Sequence, residues 1–214
     1  MLLLATNTLT IEDCVLADAV GKTMANSGNP NLTIRRTHIA RFTMGPELGG
    51  TTLLIEDSNI TEMLAIHRER GAADDEDCIY IHDSGGRPVN LRRTVLAQCD
   101  DDALDLLGGS LTVDDCIIRN AFDKGVSLLD NDVVMRRCLI IDNDIGVSTK
   151  CNSGSGNTAF LNTLENCTIA SENHAVGVLT EAQTQNGNFP MIRVLESVGA
   201  QYVRAEYTFH AWLD

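Results

Sequence analysis

An eight-residue pattern of alternating apolar and polar positions recurs along the chain. It reads LTIEDCVL from Leu9, LTIRRTHI from Leu32, LLIEDSNI from Leu53, VNLRRTVL from Val89, LTVDDCII from Leu111 and VVMRRCLI from Val133. Looser copies, NTLENCTI and RVLESVGA, begin at Asn162 and Arg193. The starts lie 23, 21, 36, 22, 22, 29 and 31 residues apart, and a recurring unit of about 22 residues with interruptions is the signature of a solenoid. In each octet the first and third residues point inward and the second and fourth outward, the two-residue period of a strand with one buried face. The fifth residue (Asp13, Arg36, Asp57, Arg93, Asp115, Arg137, Asn166) marks a bend. A second short strand follows, with a small inward residue at the sixth position and an aliphatic at the eighth.

Positions four and five of six successive octets are Glu12-Asp13, Arg35-Arg36, Glu56-Asp57, Arg92-Arg93, Asp114-Asp115 and Arg136-Arg137, so the sign flips at every repeat. Equivalent residues of stacked coils sit about 4.8 Å apart, the inter-strand spacing of a sheet. Charges of one sign stacked at that distance repel by about 1 kcal/mol per neighbouring pair in water, whereas alternation makes every neighbour attractive. Exposed pairs are individually weak, so the column of charges reads mainly as a device that fixes coil register.

A third strand precedes the next octet in the regular coils: ALDLLGG from Ala103, GVSLLDN from Gly125 and GVSTKCN from Gly146. Leu104, Val126, Val147 and Val176 form one inward column, and Leu106, Leu128, Thr149 and Val178 another. Three short strands per coil of about 22 residues around one narrow core predict an all-β, right-handed parallel β-helix over residues 1–198. Residues 64–88 lengthen one coil by about 14 residues and read as a surface loop, and 151–161 make a smaller excursion rich in Gly, Ser and Asn. Residues 199–214 lie outside the repeat, and Tyr202, Tyr207, Phe209 and Trp212 are expected to cap the C-terminal end of the core.

Composition sharpens this picture. The chain is 43% hydrophobic but only 4% aromatic, which suits narrow stacked strands. A net charge of −14 argues against nucleic acid, whose recognition requires a basic surface. The opening Met-Leu-Leu-Leu-Ala is too short for a signal peptide or a membrane span. The first octet begins without an obvious cap, which suggests end-to-end self-association or adjoining domains of a longer parent chain. Of seven cysteines, Cys14, Cys116, Cys138 and Cys167 share the sixth position with Thr37, Ser58 and Thr94. Stacked in register, their β-carbons lie beyond the usual disulfide separation, so a ladder of reduced thiols packed as small hydrophobes is expected.

Units such as LTVDDCIIRNAFDKGVSLLDNDVVMRRCLIIDNDIGVSTK resemble the parallel β-helix repeats of the pectate-lyase-like superfamily, over roughly residues 9–198. The resemblance implies an extracellular or cell-envelope location and a polysaccharide partner. It does not by itself separate catalytic from non-catalytic members. In the superfamily's lyases the groove along the third strand binds acidic sugars through calcium, and a Lys or Arg abstracts the proton.

The candidate chemistry lies where the third strand begins: Asp100, Asp101, Asp102, Asp105, Asp123, Lys124 and Asp144. Repeat alignment stacks Asp101 near Asp123 and Asp144, and Asp102 near Lys124. Asp101, Asp102, Asp123 and Asp144 are candidate calcium ligands, hard oxygen donors along one edge. Lys124 is the candidate base, and Asp105 with Asp123 or Asp101 a candidate acid/base pair for glycoside hydrolysis. The competing reading is structural, since Asp and Asn at turns bond to nearby backbone amides. The outward positions Ala103, Asp105, Gly125, Ser127, Gly146 and Ser148 are expected to leave a flat surface without an aromatic platform. His67, Cys78 and His82 are zinc-ligand types without a tight motif spacing, and His174 borders the same groove. A non-catalytic module, acting as a rigid spacer or a carbohydrate-contacting surface, is therefore favoured over a calcium-assisted polysaccharide lyase or glycoside hydrolase.

Overall fold

The computed structural model describes residues 2–4, 8–26, 28–64, 76–82, 84–152 and 161–181. Every regular element among them is a strand, and the strands pair in parallel, coil on coil. The octets form the first face, with Leu9, Leu32, Leu53, Val89, Leu111, Val133 and Asn162 in one register column. Seven short strands from Val15–Ala17 to Thr168–Ala170 form the second face as a separate sheet. The third face runs from Leu2–Leu4 through Lys22–Asn26, Met44–Leu48 and Tyr80–Ile81 to His174–Glu181.

The strands are not uniformly short. Leu104–Asp114 and Lys124–Arg136 run through the third corner without a break, each joining the third strand of one coil to the octet of the next. The first and third faces therefore belong to one sheet. The core is the one the alternation predicts: Leu32, Leu53, Val89, Leu111 and Val133 from position one, Ile34, Ile55, Leu91, Val113 and Met135 from position three, and Ile39, Ile60, Leu96, Ile118 and Ile140 from position eight are all buried.

Two corners of each coil are built on left-handed backbone. Asp13, Arg36, Asp57, Arg93, Asp115, Arg137 and Asn166 have φ between 44° and 56°, which places the bend at the fifth position. Five residues further on, Asp18, Arg41, Glu62, Gln98, Asn120 and Asp142 repeat the conformation at φ 56–63°. Non-glycine residues enter this region at a cost of roughly 1–2 kcal/mol. Hydrogen bonds to the next coil offset it: the N–H of Asp13, Arg36, Asp57, Arg93, Asp115 and Arg137 donates to the position-four carbonyl above, at 2.9–3.2 Å.

The charged doublets lie directly over one another. Glu12 pairs in register with Arg35, Arg35 with Glu56, Glu56 with Arg92 and Asp114 with Arg136. Arg36 clasps Asp13 through two bonds of 2.7 and 2.9 Å and also reaches Glu12. Arg93 holds Asp57 and Glu56 at 2.6 Å, and Arg137 holds Asp115 at 2.6 Å. A second ladder stands at the second corner, where Arg41 bonds Asp18 at 2.5 Å and Glu62 at 3.3 Å.

The sixth-position column does more than fill space. Thr37, Ser58 and Thr94 each donate to the carbonyl two residues back, Arg35, Glu56 and Arg92, at 2.8–2.9 Å. Cys116 and Cys138 make the same bond at 3.2 Å. Cys14, Cys116, Cys138 and Cys167 are free thiols, and burial pushes the Cys116 thiol up to about 11.

Of the 64–88 stretch, residues 65–75 and 83 lie outside the described residues. The rest rejoins the body: Glu76 and Asp77 are buried, and Tyr80–Ile81 is a strand of the third face, so the excursion is shorter than its sequence suggests. The Gly45 position enforces this docking, because a Cβ there would lie 1.8 Å from the Cys78 carbonyl oxygen. The expected cap at 199–214 lies outside the described residues, as do residues 153–160 of the second excursion.

Two measurements check these assignments. Leu91→Ala, in a fully buried column, is expected to cost about 2–5 kcal/mol by denaturant unfolding. At Gln98, exposed with φ 60°, Gln98→Gly is expected to be more stable than Gln98→Val by about 1–2 kcal/mol.

Candidate functional site

The acidic edge assembles as the repeat alignment orders it. The N–H of Asp123 donates to the Asp101 carbonyl at 3.3 Å, that of Ile145 to Asp123 at 3.0 Å, and that of Asn173 to Asp144 at 3.0 Å. Lys124, Ile145 and His174 follow one another in the adjacent column, so His174 stands two coils from Lys124. One carboxylate oxygen each from Asp101, Asp102 and Asp123 lie within 4.8 Å of one another. Asp144 turns instead to the Asn173 side-chain amide, and Asp105 stands in the outward row of the strand.

Inside this edge the carboxylates are engaged by the backbone. Asp77, 2% exposed, accepts the Asp102 N–H at 2.9 Å, and Asp102, 4% exposed, accepts the Lys124 N–H at 2.8 Å. One coil further, Asn143 accepts the Ala121 N–H at 2.9 Å. These are coil-to-coil bonds, in which the side-chain oxygen of one coil accepts a backbone N–H of its neighbour. Burial first, then the charges of Asp102, Asp101 and Asp105, push the Asp77 carboxyl up to about 9. Burial likewise raises Asp102 to about 7, against the opposing pull of Lys124.

Lys124 sits among these groups with its side chain 12% exposed. Its ammonium lies 3.3 Å from Asp102 and also contacts Asp123. Burial alone would lower its pKa, but Asp102 and Asp123 outweigh burial and hold it above the ordinary lysine value. In this arrangement the ammonium stays protonated at neutral pH and serves as the counter-ion of the edge. A base must be able to give up that proton.

The loop residues behave differently from expectation. Cys78 is not a metal-ligand thiol: it is bonded to Cys99, with 5.6 Å between their Cα atoms. His82 pairs with Glu47 at 2.7 Å, and His67 lies outside the described residues. No zinc set is formed by the two that are described. The sequence offered a weak signal for this disulfide: of the three cysteines outside the sixth-position column, Cys78 and Cys99 lie 21 residues apart.

The outward row of the third face also differs. Ala25, Glu47, Tyr80, Asp105, Ser127 and Ser148 occupy successive register positions. Ser127 and Ser148 are buried, so this part of the row is not an open flat surface. Tyr80 supplies the aromatic that the row was expected to lack, its ring centroid 4.4 Å from that of His82. Glu47 beside them also contacts Lys22. Tyr80 was hidden because its strand is only two residues long and follows an interruption.

A family model described as right handed beta helix region matches residues 47–189. The chain belongs to the right-handed β-helix family. No curated protein and no solved structure gives a significant match to it. For this β-helix the family supplies the architecture, and the side-chain chemistry must be argued from the residues themselves. Among the described residues no helix is long and apolar enough to cross a membrane.

The carboxyl groups of this β-helix titrate in two opposite senses. Asp13, Asp57 and Asp115, each hydrogen-bonded by an arginine, are held below the ordinary value of 3.8. Their stabilisation is present above that value and is lost as pH falls. Asp77 and Asp102 are raised, so theirs is complete below about 4 and is lost as pH rises through about 7 and about 9. Thermal melting is expected to be highest near pH 4 and to decline from there until about pH 9, more steeply up to about pH 7 where both groups contribute. Asp77→Asn, which keeps an acceptor for the Asp102 N–H, is expected to flatten that decline.

Proposed function

We propose that this β-helix is a non-catalytic module of a larger secreted or envelope-associated protein, a rigid spacer that carries a carbohydrate-contacting surface. The observation that carries the non-catalytic reading is the state of Lys124. The side chain best placed to act as a base is held by Asp102 and Asp123, and Asp102 is in turn engaged by a backbone N–H. The acidic edge is thereby accounted for as a corner whose buried carboxylates accept backbone N–H groups of the next coil and whose lysine offsets part of its charge.

The Cys78–Cys99 disulfide supports an oxidising compartment, since such bonds persist in secreted and envelope proteins. The contacting surface is assigned to Tyr80, with His82, Glu47, Lys22 and Asp105 around it. An aromatic face stacks on a sugar ring while polar neighbours bond its hydroxyls. A net charge of −14 favours neutral over acidic saccharides.

The second reading is a calcium-assisted lyase or glycoside hydrolase, with Asp101, Asp102 and Asp123 around the cation, Lys124 as base and Asp105 as acid/base partner. The proximity of the first three carboxylates favours it. It would require Lys124 to leave the position a cation would take.

Melting with and without calcium, combined with assays on uronate polymers and on neutral polysaccharides, separates these readings. The protein is expected to release no unsaturated product and no reducing sugar, and its Tm is expected to be unmoved by calcium. Lys124→Met is expected to lower the Tm and to make it calcium-responsive, because three carboxylates then lack their counter-ion. Product formed by the unaltered protein and abolished in Lys124→Ala would establish the enzyme instead. For the contacting surface, Tyr80→Ala is expected to weaken binding of neutral oligosaccharides at least tenfold, about 1.4 kcal/mol.

A further inference from the structure

The sixth-position column changes its chemistry along the tube. Thr37, Ser58 and Thr94 fill it in three consecutive coils, and Cys116, Cys138 and Cys167 fill it in the next three. All six side chains donate to the carbonyl two residues back. The hydroxyls make this bond at 2.8–2.9 Å, whereas Cys116, Cys138 and Cys167 make it at 3.2, 3.2 and 3.5 Å. A thiol is the weaker donor of the two groups. The corner therefore does not require sulfur, and three thiols in succession supply a property that a hydroxyl lacks.

Cys138 and Cys167 are also hydrogen-bonded to each other through their thiols. Cys138 is 2% exposed, and Cys167 is half-buried, so the pair is enclosed on the core side and accessible at Cys167. Both are free thiols, although Cys78 and Cys99 of the same chain are joined. Stacking keeps them apart. Counterparts about 4.8 Å from each other with parallel side chains hold their sulfurs well outside the roughly 2.05 Å of a disulfide bond. Two metal–thiolate bonds of roughly 2.3 Å laid end to end span about 4.6 Å, which fits that spacing. A column offers its ligands two at a time and in line, whereas a structural zinc takes four in a tetrahedron. The geometry suits a soft cation satisfied by two thiolates.

We propose that Cys138 and Cys167 form a binding site for one soft monovalent cation of the copper(I) type, held in line between their sulfurs. Each thiol gives its proton to solvent and a sulfur lone pair to the metal, so two protons leave for each ion bound and no electron is transferred. The ion takes the place of the S–H protons that point to the Arg136 and Glu165 carbonyls. The resulting bis-thiolate carries one negative charge. Arg137, whose charge acts on both sulfurs, offsets it. Cys116, 1% exposed and one coil away from Cys138, backs the site as a small apolar wall.

The test titrates the intact protein, purified without reductant and kept free of oxygen, with copper(I) delivered from a chromophoric chelator. One ion per chain is expected, with release of two protons and a rise in Tm. Cys138→Ser and Cys167→Ser keep the corner bond that Ser58 makes, so each is expected to melt close to the unaltered protein and to weaken binding at least hundredfold. The double variant is expected to bind no more weakly than either single one, because the two sulfurs act as a unit. Cys138→Thr, which places the side chain of Thr37 and Thr94 in the column, is expected to repeat the loss should serine loosen the corner. Cys14→Ser and Cys151→Ser are expected to leave binding unchanged, and zinc(II) is expected not to compete. Binding that survives the loss of either sulfur, an equal affinity for zinc(II), no proton release, or no binding overturns the proposal. So does peptide mapping that finds Cys138 joined to Cys167, since sulfurs that close a disulfide do not stand at the in-line spacing.

Discussion

The structure depends on one constraint, that a parallel solenoid places every residue directly over its own counterpart about 4.8 Å away. Any side chain chosen for a corner must tolerate a near-copy of itself above and below. Apolar columns meet this without difficulty, and the narrow core of Leu, Ile and Val is the result. A charged column meets it only by alternating. The doublets at positions four and five do so from Glu12-Asp13 to Arg136-Arg137, each arginine closing on the acidic side chains next to it. Individually such exposed pairs contribute little. Their collective effect is on register, because a coil left out of the stack would bring doublets of like sign together at that step.

The acidic edge at the entry to the third face shows the same constraint where alternation fails. Asp101, Asp123 and Asp144 are like charges in one column, with Asp77 and Asp102 buried beside them. Three devices relieve the conflict. Backbone N–H groups donate to Asp77 and Asp102, the Asp77 carboxyl holds its proton up to about pH 9, and the Lys124 ammonium lies between Asp102 and Asp123. On the structural reading the edge is a corner whose charge is offset in part, by the Lys124 ammonium and by the proton on Asp77. The functional reading moves to the outward row around Tyr80.

The octets carried most of the fold in plain view because strand alternation, the bend at position five and the charge flips all repeat with one period. The core columns and the stacking of Asp102 against Lys124 could be read from alignment of those repeats alone. The second left-handed corner was harder to see, because its alternation of sign covers only Asp18, Arg41 and Glu62 and gives way to Gln98, Asn120 and Asp142, which share the backbone conformation alone. The hydrogen-bonding role of the sixth column stayed hidden, because Thr, Ser and Cys read as merely small. Tyr80 and the Cys78–Cys99 bond lay beyond an interruption that removed the period on which the reading depended.

The central claim is that alternation of sign, and not the identity of any one charge, holds the coils in register. Thermal melting of two variants tests it most directly. One reverses the single doublet Glu56-Asp57 to Arg-Arg. The other reverses all six doublets and Glu165 together, which restores attraction at every step. The single reversal should broaden or lower the transition, and the complete reversal should return it close to that of the unaltered protein. A single reversal that melts unchanged, or a complete reversal no more stable than the single one, would contradict the account.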